Sequence, residues 1–252
     1  MSLVIKGKSK KVFNFNDNLL KIIYTDSISC FNSYRCDIKN KGKILNIQNA
    51  WWMKKTKNIV DNHYLSHYDN TLIVKKCKRI DIEVVVRNYY TGSITKKGEL
   101  EKYGLTLPKD IVKNSKFSKP IITPTTKDDF DLPLKERDIY EKKLATQEDW
   151  EKIKTLALKL FNYGSKIMEK KGIILVDTKY EFGYDEKGNI ILIDELHTSD
   201  SSRFWDKNMK NFDKDILRNF VQDNPGKDIP DDIKDKILST YTSLYRLIVL
   251  DP

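Results

Sequence analysis

DTKYEFGYDEKGNIILIDE, residues 177–195, is the stretch on which the fold turns. It reads as two strand-forming runs around the turn-forming segment YDEKGN. Side chains alternate along a strand, so Asp177, Lys179 and Glu181 share one face within an otherwise apolar segment. With Lys187-Gly188 at the centre of a two-residue turn, Glu181 is expected directly opposite Asp194. Directly opposed residues hold their Cβ atoms about 4.5–5.5 Å apart, where like charges repel. A cation between the carboxylates relieves that repulsion, and two carboxylates with room for water and phosphate oxygens suit Mg²⁺. Glu181 and Asp194 are therefore the candidate metal ligands. Two alternatives stand beside this: a bulge that slips the register, or carboxylates paired with lysine. The adjoining TSDSSRFW favours the metal, because Asp200, Ser202 and Arg203 add a hydroxyl and an anion-binding cation at the same end.

Outward from this hairpin the chain reads as α+β, strand-rich in its first third and mixed thereafter. Residues 11–24 form a second expected hairpin around Asn16-Asp17-Asn18, and a basic amphipathic helix is predicted after Gly42, with Ile44, Ile47, Trp51 and Ile59 on its apolar stripe. TLIVKK (71–76) and DIEVVVRNYY (81–90) are β-branched runs. Residues 104–140 hold four of the seven prolines and read mostly as loop, of a length that points to function or motion. Thr146 with Asp149 opens a helix whose face is Trp150, Ile153, Leu156, Ala157 and Leu160. Two terminal helices are predicted, near 212–222 and from Pro230. A boundary near residue 80 divides an N-terminal β-rich lobe (1–80) from a larger α/β lobe (81–252), with a ligand cleft between them.

Composition sets limits on function. The 252 residues carry a net charge of +10 and only ten glycines and seven prolines, a profile that excludes disordered and low-complexity classes. Only seven of the 46 cations are Arg, and the Lys are scattered, which favours a solvated surface over a nucleic-acid footprint. Three cysteines, Cys30, Cys36 and Cys77, make no CxxC pair, and MSLVIKGKSKK has no apolar core of a signal peptide, so a reducing cytosol is expected. No stretch approaches a membrane span in length. GKSKK (7–11) pairs glycine with cations beside a strand but lacks Walker A spacing. His63 and His67 stand four apart without a third ligand, and Arg87 with Gly92-Ser93 has the look of a phosphate grip or of a salt-bridge partner.

Taken in order, these segments resemble the SAICAR synthetase family. GKSKKVF (7–13) is similar to its opening glycine-lysine segment, TDSISCFNS (25–33) to D-x-x-S-A-F-D, and KGKILNIQNAWW (41–52) to K-G-x-x-L-x-x-x-S-x-F-W. EVVVRNYYTGS (83–93), ITPTTK (122–127), DTKYEFG (177–183) and DELHTSDSSRFW (194–205) resemble E-V-V-V-R-x-x-x-T-G-S, F-T-P-T-T-K, D-T-K-F-E-F-G and D-E-x-x-T-P-D-S-S-R-F-W.

The resemblance implies a two-lobed α+β fold with a nucleotide cleft between an antiparallel N-terminal sheet lobe and a larger α/β lobe. It also implies an ATP-dependent ligase joining L-aspartate to the ribonucleotide CAIR, giving SAICAR, ADP and phosphate through an acyl phosphate. By family position, Lys8 and Lys10 meet ATP phosphates, and Lys76 to Arg79 line the adenine pocket largely through backbone. Glu181 and Asp194 hold Mg²⁺; Arg87, Ser93, Ser202 and Arg203 hold CAIR; Asp177, Lys179 and Asp200 surround the reacting centre. Small molecules are the implied partners, with neither nucleic acid nor membrane, in a monomer or homo-oligomer. The pattern is broken at Asn32, where the family has Asp, and after TPTTK, where FDLPL replaces a His-Asp pair and Asp131 is the only nearby carboxylate. It is broken also in KNKG for I-P-G-K-G, at Asp81 and at Ser199, both usually Pro. The chain ends just past its last helix, so no fused carboxylase domain is expected. A related amide ligase with other substrates, a basic nucleic-acid-binding module and an inactive relative remain as alternatives.

Overall fold

The computed structural model describes residues 2–30, 34–106, 110–212 and 214–250; Asn32 lies outside them. Strands β1 (Leu3–Lys6), β2 (Lys10–Asn14) and β3 (Leu19–Tyr24) begin an antiparallel sheet. A small hairpin of β4 (Ser27–Cys30) and β5 (Tyr34–Asp37) then leads to helix α1 (Lys41–Thr56). Strands β6 (Tyr64–Tyr68) and β7 (Thr71–Lys75) complete the first sheet in the order β1-β2-β3-β7-β6. Only Lys76 and Cys77 separate β7 from β8 (Lys78–Tyr89), which opens the second sheet. After β9 (Lys116–Thr126) come the short helix α2 (Glu136–Glu141) and the long helix α3 (Gln147–Lys170). Strands β10 (Ile173–Tyr184), β11 (Ile190–Ile193) and β12 (Ser202–Asp206) precede α4 (Asp215–Asp223) and α5 (Asp231–Tyr245). The second sheet runs β11-β10-β8-β9, with β12 paired to β10. Among the described residues no helix is long and apolar enough to cross a membrane.

The second sheet has two unlike faces, and the parity of its strands sets them. Val84, Val86, Tyr180 and Phe182 face α3, whose Trp150, Ile153, Ala157, Leu160 and Phe161 are buried in the same core. Thr146 caps α3, accepting a hydrogen bond from the Asp149 amide at 3.1 Å, as its sequence predicts. A second core joins Ile22, Leu72 and Val74 of the first sheet to Leu45 of α1, Leu217 and Val221 of α4, and Ile237 and Tyr241 of α5. The C-terminal helices thus close over the N-terminal sheet. The predicted boundary at residue 80 falls inside β8, just past the crossing from one sheet to the other.

Two local expectations are corrected and a third is narrowed. The turn between β10 and β11 spans Glu186, Lys187 and Gly188, closed by the Asp185 amide on the Asn189 carbonyl, with Gly188 at φ 80°. A three-residue loop with a left-handed glycine shifts the register by one from a two-residue turn, so Glu181 lies opposite Ile193 rather than Asp194. Residues 104–140 are loop over little more than half of their described length, because β9 runs through Pro120 and Pro124 and α2 begins at Glu136. Pro124 is tolerated because β9 is the sheet edge and its carbonyl turns away from β8 to the Leu134 amide, so its missing N–H costs no bond to β8, while Pro120 falls where the register with β8 shifts. Helix α1 carries no single apolar stripe. It lies between both cores with Leu45, Trp52 and Met53 buried, and its buried Asn46, Gln48 and Asn49 bond backbone on either side, while Ile59 is exposed.

Candidate active site

The outward face of the second sheet is polar and gathers most of the residues singled out in the sequence. Register pairs Asp177 with Arg87 on one side and Arg203 on the other, and Glu181 with Glu83. Asp177 Oδ2 accepts from Arg87 Nη1 at 3.2 Å and from Arg203 Nη1 at 2.9 Å. Ser93 Oγ lies 3.5 Å from Arg87 Nη2, and Thr123 accepts from Arg87 Nε at 2.8 Å. Burial disfavours the Arg87 charge and lowers its pKa, with Asp177 acting against that effect. Gly92, at φ 69°, lets the loop after β8 close on this pair, since a Cβ there would stand 2.7 Å from Arg203 Nη1. Two guanidinium groups sharing one carboxylate, with the Ser93 hydroxyl beside Arg87, form a cradle for a dianion such as a phosphate ester.

At the other end of the same face, ammonium and carboxylate groups alternate. Lys127 Nζ reaches Glu83 and Glu181 at 2.7 and 2.8 Å, and Lys179 Nζ reaches Glu83 at 2.9 Å and contacts Glu181. Lys10 bonds Asp194 and lies 2.7 Å from Glu195. Asp194 is one residue past β11 with φ 64°, a left-handed turn that swings its carboxylate back to 3.8 Å from Lys179 Nζ. The predicted pair of Glu181 and Asp194 is therefore brought together by this turn and a shared lysine, not by direct register.

Burial opposes the charges of Lys10, Lys179, Asp194 and Glu83, and their partners outweigh it. Lys10 is raised well above the ordinary lysine range by Asp194 and Glu195, Lys179 is raised by Glu181, Asp194 and Glu83, and Asp194 is held far below the carboxylate range by Lys10 and Lys179. Glu83 is lowered by Lys179 and Lys127. Three ammonium groups thus face four carboxylates, Glu83, Glu181, Asp194 and Glu195. That donor set of hard oxygens with a residual negative charge fits a divalent cation that keeps part of its water shell. No group of three or more His, Cys, Asp or Glu side chains arranged to hold a metal occurs among the described residues.

Both ends border one cavity of about 1090 Å³, lined also by Lys8 from the β1–β2 loop and by Lys214 and Arg218 at the start of α4. The 194–200 segment on its wall is held by α1: Asn49 accepts from the Leu196 amide, and Gln48 from the Ser199 amide. Beneath it the buried His197 ring meets Tyr180 Oη at 2.6 Å.

Four predicted residues sit differently from the rest. Ser202 alternates away from Arg203 and donates to Thr178 Oγ1 at 2.7 Å, so Ser201 is the serine lining the cavity. Asp200 lines the cavity, but its carboxylate is taken by buried Lys41 at 2.8 Å and Tyr241 at 2.7 Å. The Lys76 amide donates to the Asn18 carbonyl at the sheet crossing. Arg79 pairs with Asp81 and borders a separate, smaller cavity. Glu83 and Lys127 were not anticipated, although strand parity with Arg87 was the available signal for Glu83. Of the other histidines, His63 is buried and His67 bonds Tyr64.

The SAICAR synthetase family model matches residues 3–232. The phosphoribosylaminoimidazole-succinocarboxamide synthase of Legionella pneumophila strain Paris is 39% identical over 96% of this chain and 86% of its own length. The Saccharomyces cerevisiae SAICAR synthase complexed with SAICAR superposes with a TM-score of 0.87 at 30% identity, covering 99% of this chain and 95% of that one. A type-2 SAICAR synthetase in complex with ADP superposes with a TM-score of 0.82 at 28% identity, covering 99% and 98%.

Proposed function

The chain belongs to the SAICAR synthetase family, ATP-dependent ligases that condense CAIR with L-aspartate in purine biosynthesis, and we propose that the polar face of its second sheet is where that reaction runs. The observation that carries this is the placement of a guanidinium cradle and a carboxylate–ammonium cluster on one strand face. Asp177 and Glu181 are four residues apart, roughly 13 Å along a strand. That span accommodates a ribonucleotide phosphate at one end and the phosphoryl group to be transferred at the other.

Arg87, Ser93 and Arg203 take the CAIR phosphate. Lys8 and Lys10 take the ATP phosphates, with the sheet crossing from Lys76 to Arg79 bordering the adenine. Glu181 and Asp194 would hold Mg²⁺, which would supply charge neutralisation for phosphoryl transfer. A CAIR carboxylate oxygen attacks the γ-phosphorus of ATP, ADP leaves, and the L-aspartate amine then displaces phosphate from the acyl carbon. Lys179 neutralises charge that develops on the reacting oxygens, and Asp177 keeps the two guanidinium groups in register. Lys214 and Arg218, which line the same cavity as Asp200 and Ser201, offer two cations to the two carboxylates of L-aspartate. Three free cysteines support a reducing, cytosolic setting.

Incubation with CAIR, L-aspartate and MgATP is expected to release ADP and form SAICAR in equal amounts. No SAICAR at saturating substrates overturns the assignment, and ADP release with another acid and amine replaces it with a related ligase. A nucleic-acid-binding role requires instead binding that falls steeply with salt, without thermal stabilisation by MgATP.

A further inference from the structure

Among the described residues five carboxylates line the main cavity: Glu83, Asp131, Asp177, Asp200 and Asp215. Four of them are engaged. Glu83 is held by Lys127 and Lys179, Asp177 by Arg87 and Arg203, Asp200 by Lys41 and Tyr241, and Asp215 by Arg218 and Arg203. A carboxylate in such a pair is a weak base, because protonation surrenders the pair. The Asp131 carboxylate makes no ion pair or hydrogen bond among the described residues.

Its position is built by the chain around it. Asp128 Oδ1 accepts from the Phe130 and Asp131 amides at 2.8 and 3.2 Å, and Thr126 closes the loop through the Leu132 amide at 3.0 Å and its own amide on the Leu132 carbonyl at 2.9 Å. The loop is thereby pinned at the end of β9, one side bearing Lys127 and the other Asp131. Asp131 itself adopts φ 49°, a left-handed conformation that costs energy outside glycine and that collects at functional positions.

On this geometry, and resting on the ligase assignment above, we propose that Asp131 is the general base of the second half-reaction, taking a proton from the ammonium group of L-aspartate as it approaches the acyl phosphate. The Asp131 carboxylate becomes a carboxylic acid and the ammonium a neutral amine. The nitrogen lone pair forms the C–N bond, the acyl C–O bond to phosphate breaks, and the second N–H proton departs with the phosphate. Asp131 returns its proton to solvent through the open cavity. The charges facing it are Glu83 from β8, Lys127 from the end of β9, Lys8 from the β1–β2 loop and Lys179 from β10. Burial and Glu83 raise its pKa against the three lysines, a shift in the direction a base requires.

Asp131→Asn tests this, since Asn tolerates the left-handed backbone and keeps the shape. Hydroxylamine, uncharged at neutral pH, attacks an acyl phosphate without a base. The expected result is a loss of about 100-fold or more in SAICAR formation from L-aspartate, with hydroxylamine-dependent ADP release and the CAIR KM within about twofold of wild type. Wild-type SAICAR formation in the variant, or equal losses with both nucleophiles, overturns the base role. Wild-type enzyme that makes SAICAR but yields no hydroxamate removes the acyl phosphate, and the base proposal with it. Wild-type enzyme that yields neither product points instead to failure of the ligase assignment.

Discussion

Asp194 leaves its strand in a left-handed turn that sets its carboxylate 3.8 Å from the Lys179 ammonium, which in turn contacts Glu181. One lysine thus stands between the two carboxylates proposed to hold Mg²⁺. Asp194→Asn preserves the backbone turn, because Asn accepts the left-handed region, while removing the negative charge. Turnover is expected to fall roughly 100-fold or more, with a higher Mg²⁺ requirement and an unchanged far-UV spectrum. ADP release titrated against Mg²⁺ measures it, and unchanged turnover at limiting Mg²⁺ removes Asp194 as a ligand.

Arg203 shares Asp177 Oδ2 with Arg87, so its loss leaves the cradle with one guanidinium. Arg203→Ala is expected to raise the CAIR KM roughly 10- to 100-fold, the worth of a charged hydrogen bond. The L-aspartate KM should stay near wild type. Steady-state kinetics with each substrate varied in turn separate the two, and an effect confined to L-aspartate refutes the phosphate role.

Gly92 makes a sharper test of the same cradle without touching a charge. Its φ of 69° and the 2.7 Å from a notional Cβ to Arg203 Nη1 mean that Gly92→Ala strains the backbone by roughly 1–2 kcal/mol and pushes the guanidinium aside. Weaker CAIR binding with little change for ATP is the expected outcome, read by calorimetric titration of each ligand. Equal weakening of both ligands assigns the effect to general loosening instead.

The polar face was legible where one strand carries its own evidence. Asp177, Lys179 and Glu181 alternate within a single run, and parity places them together without any knowledge of neighbours. The register was not, because a loop of two or three residues around Gly188 is decided by backbone geometry that DEKGN permits either way. Lys127 meets Glu181 only because β9 and β10 both flank β8, a long-range pairing that local pattern does not encode. The burial of α1 was hidden for a related reason. Asn46 and Asn49 look like a solvent face until β7 and the 194–196 segment supply the backbone groups that they bond.

Stability is expected to fall on acidification ahead of any loss of the site's ion pairs. Burial pushes the pKa of His63 down to about 4 and that of His197 to about 3, so both are neutral in the folded protein. The unfolded chain takes up these protons near pH 6.5, where an ordinary histidine titrates. Between pH 6.5 and those lowered values the unfolded state binds more protons, so the free energy of unfolding rises with pH and drops as pH falls. Each histidine contributes about 1.4 kcal/mol per pH unit inside its window. Thermal midpoints should therefore decline steadily from pH 6.5 to 4.5. In His197→Asn, where the left-handed backbone at φ 50° remains acceptable, the midpoint at pH 7.5 is lower but the slope below pH 6.5 is shallower. A slope unchanged by this substitution assigns the acid sensitivity to His63 and the carboxylates, and removes His197 from it.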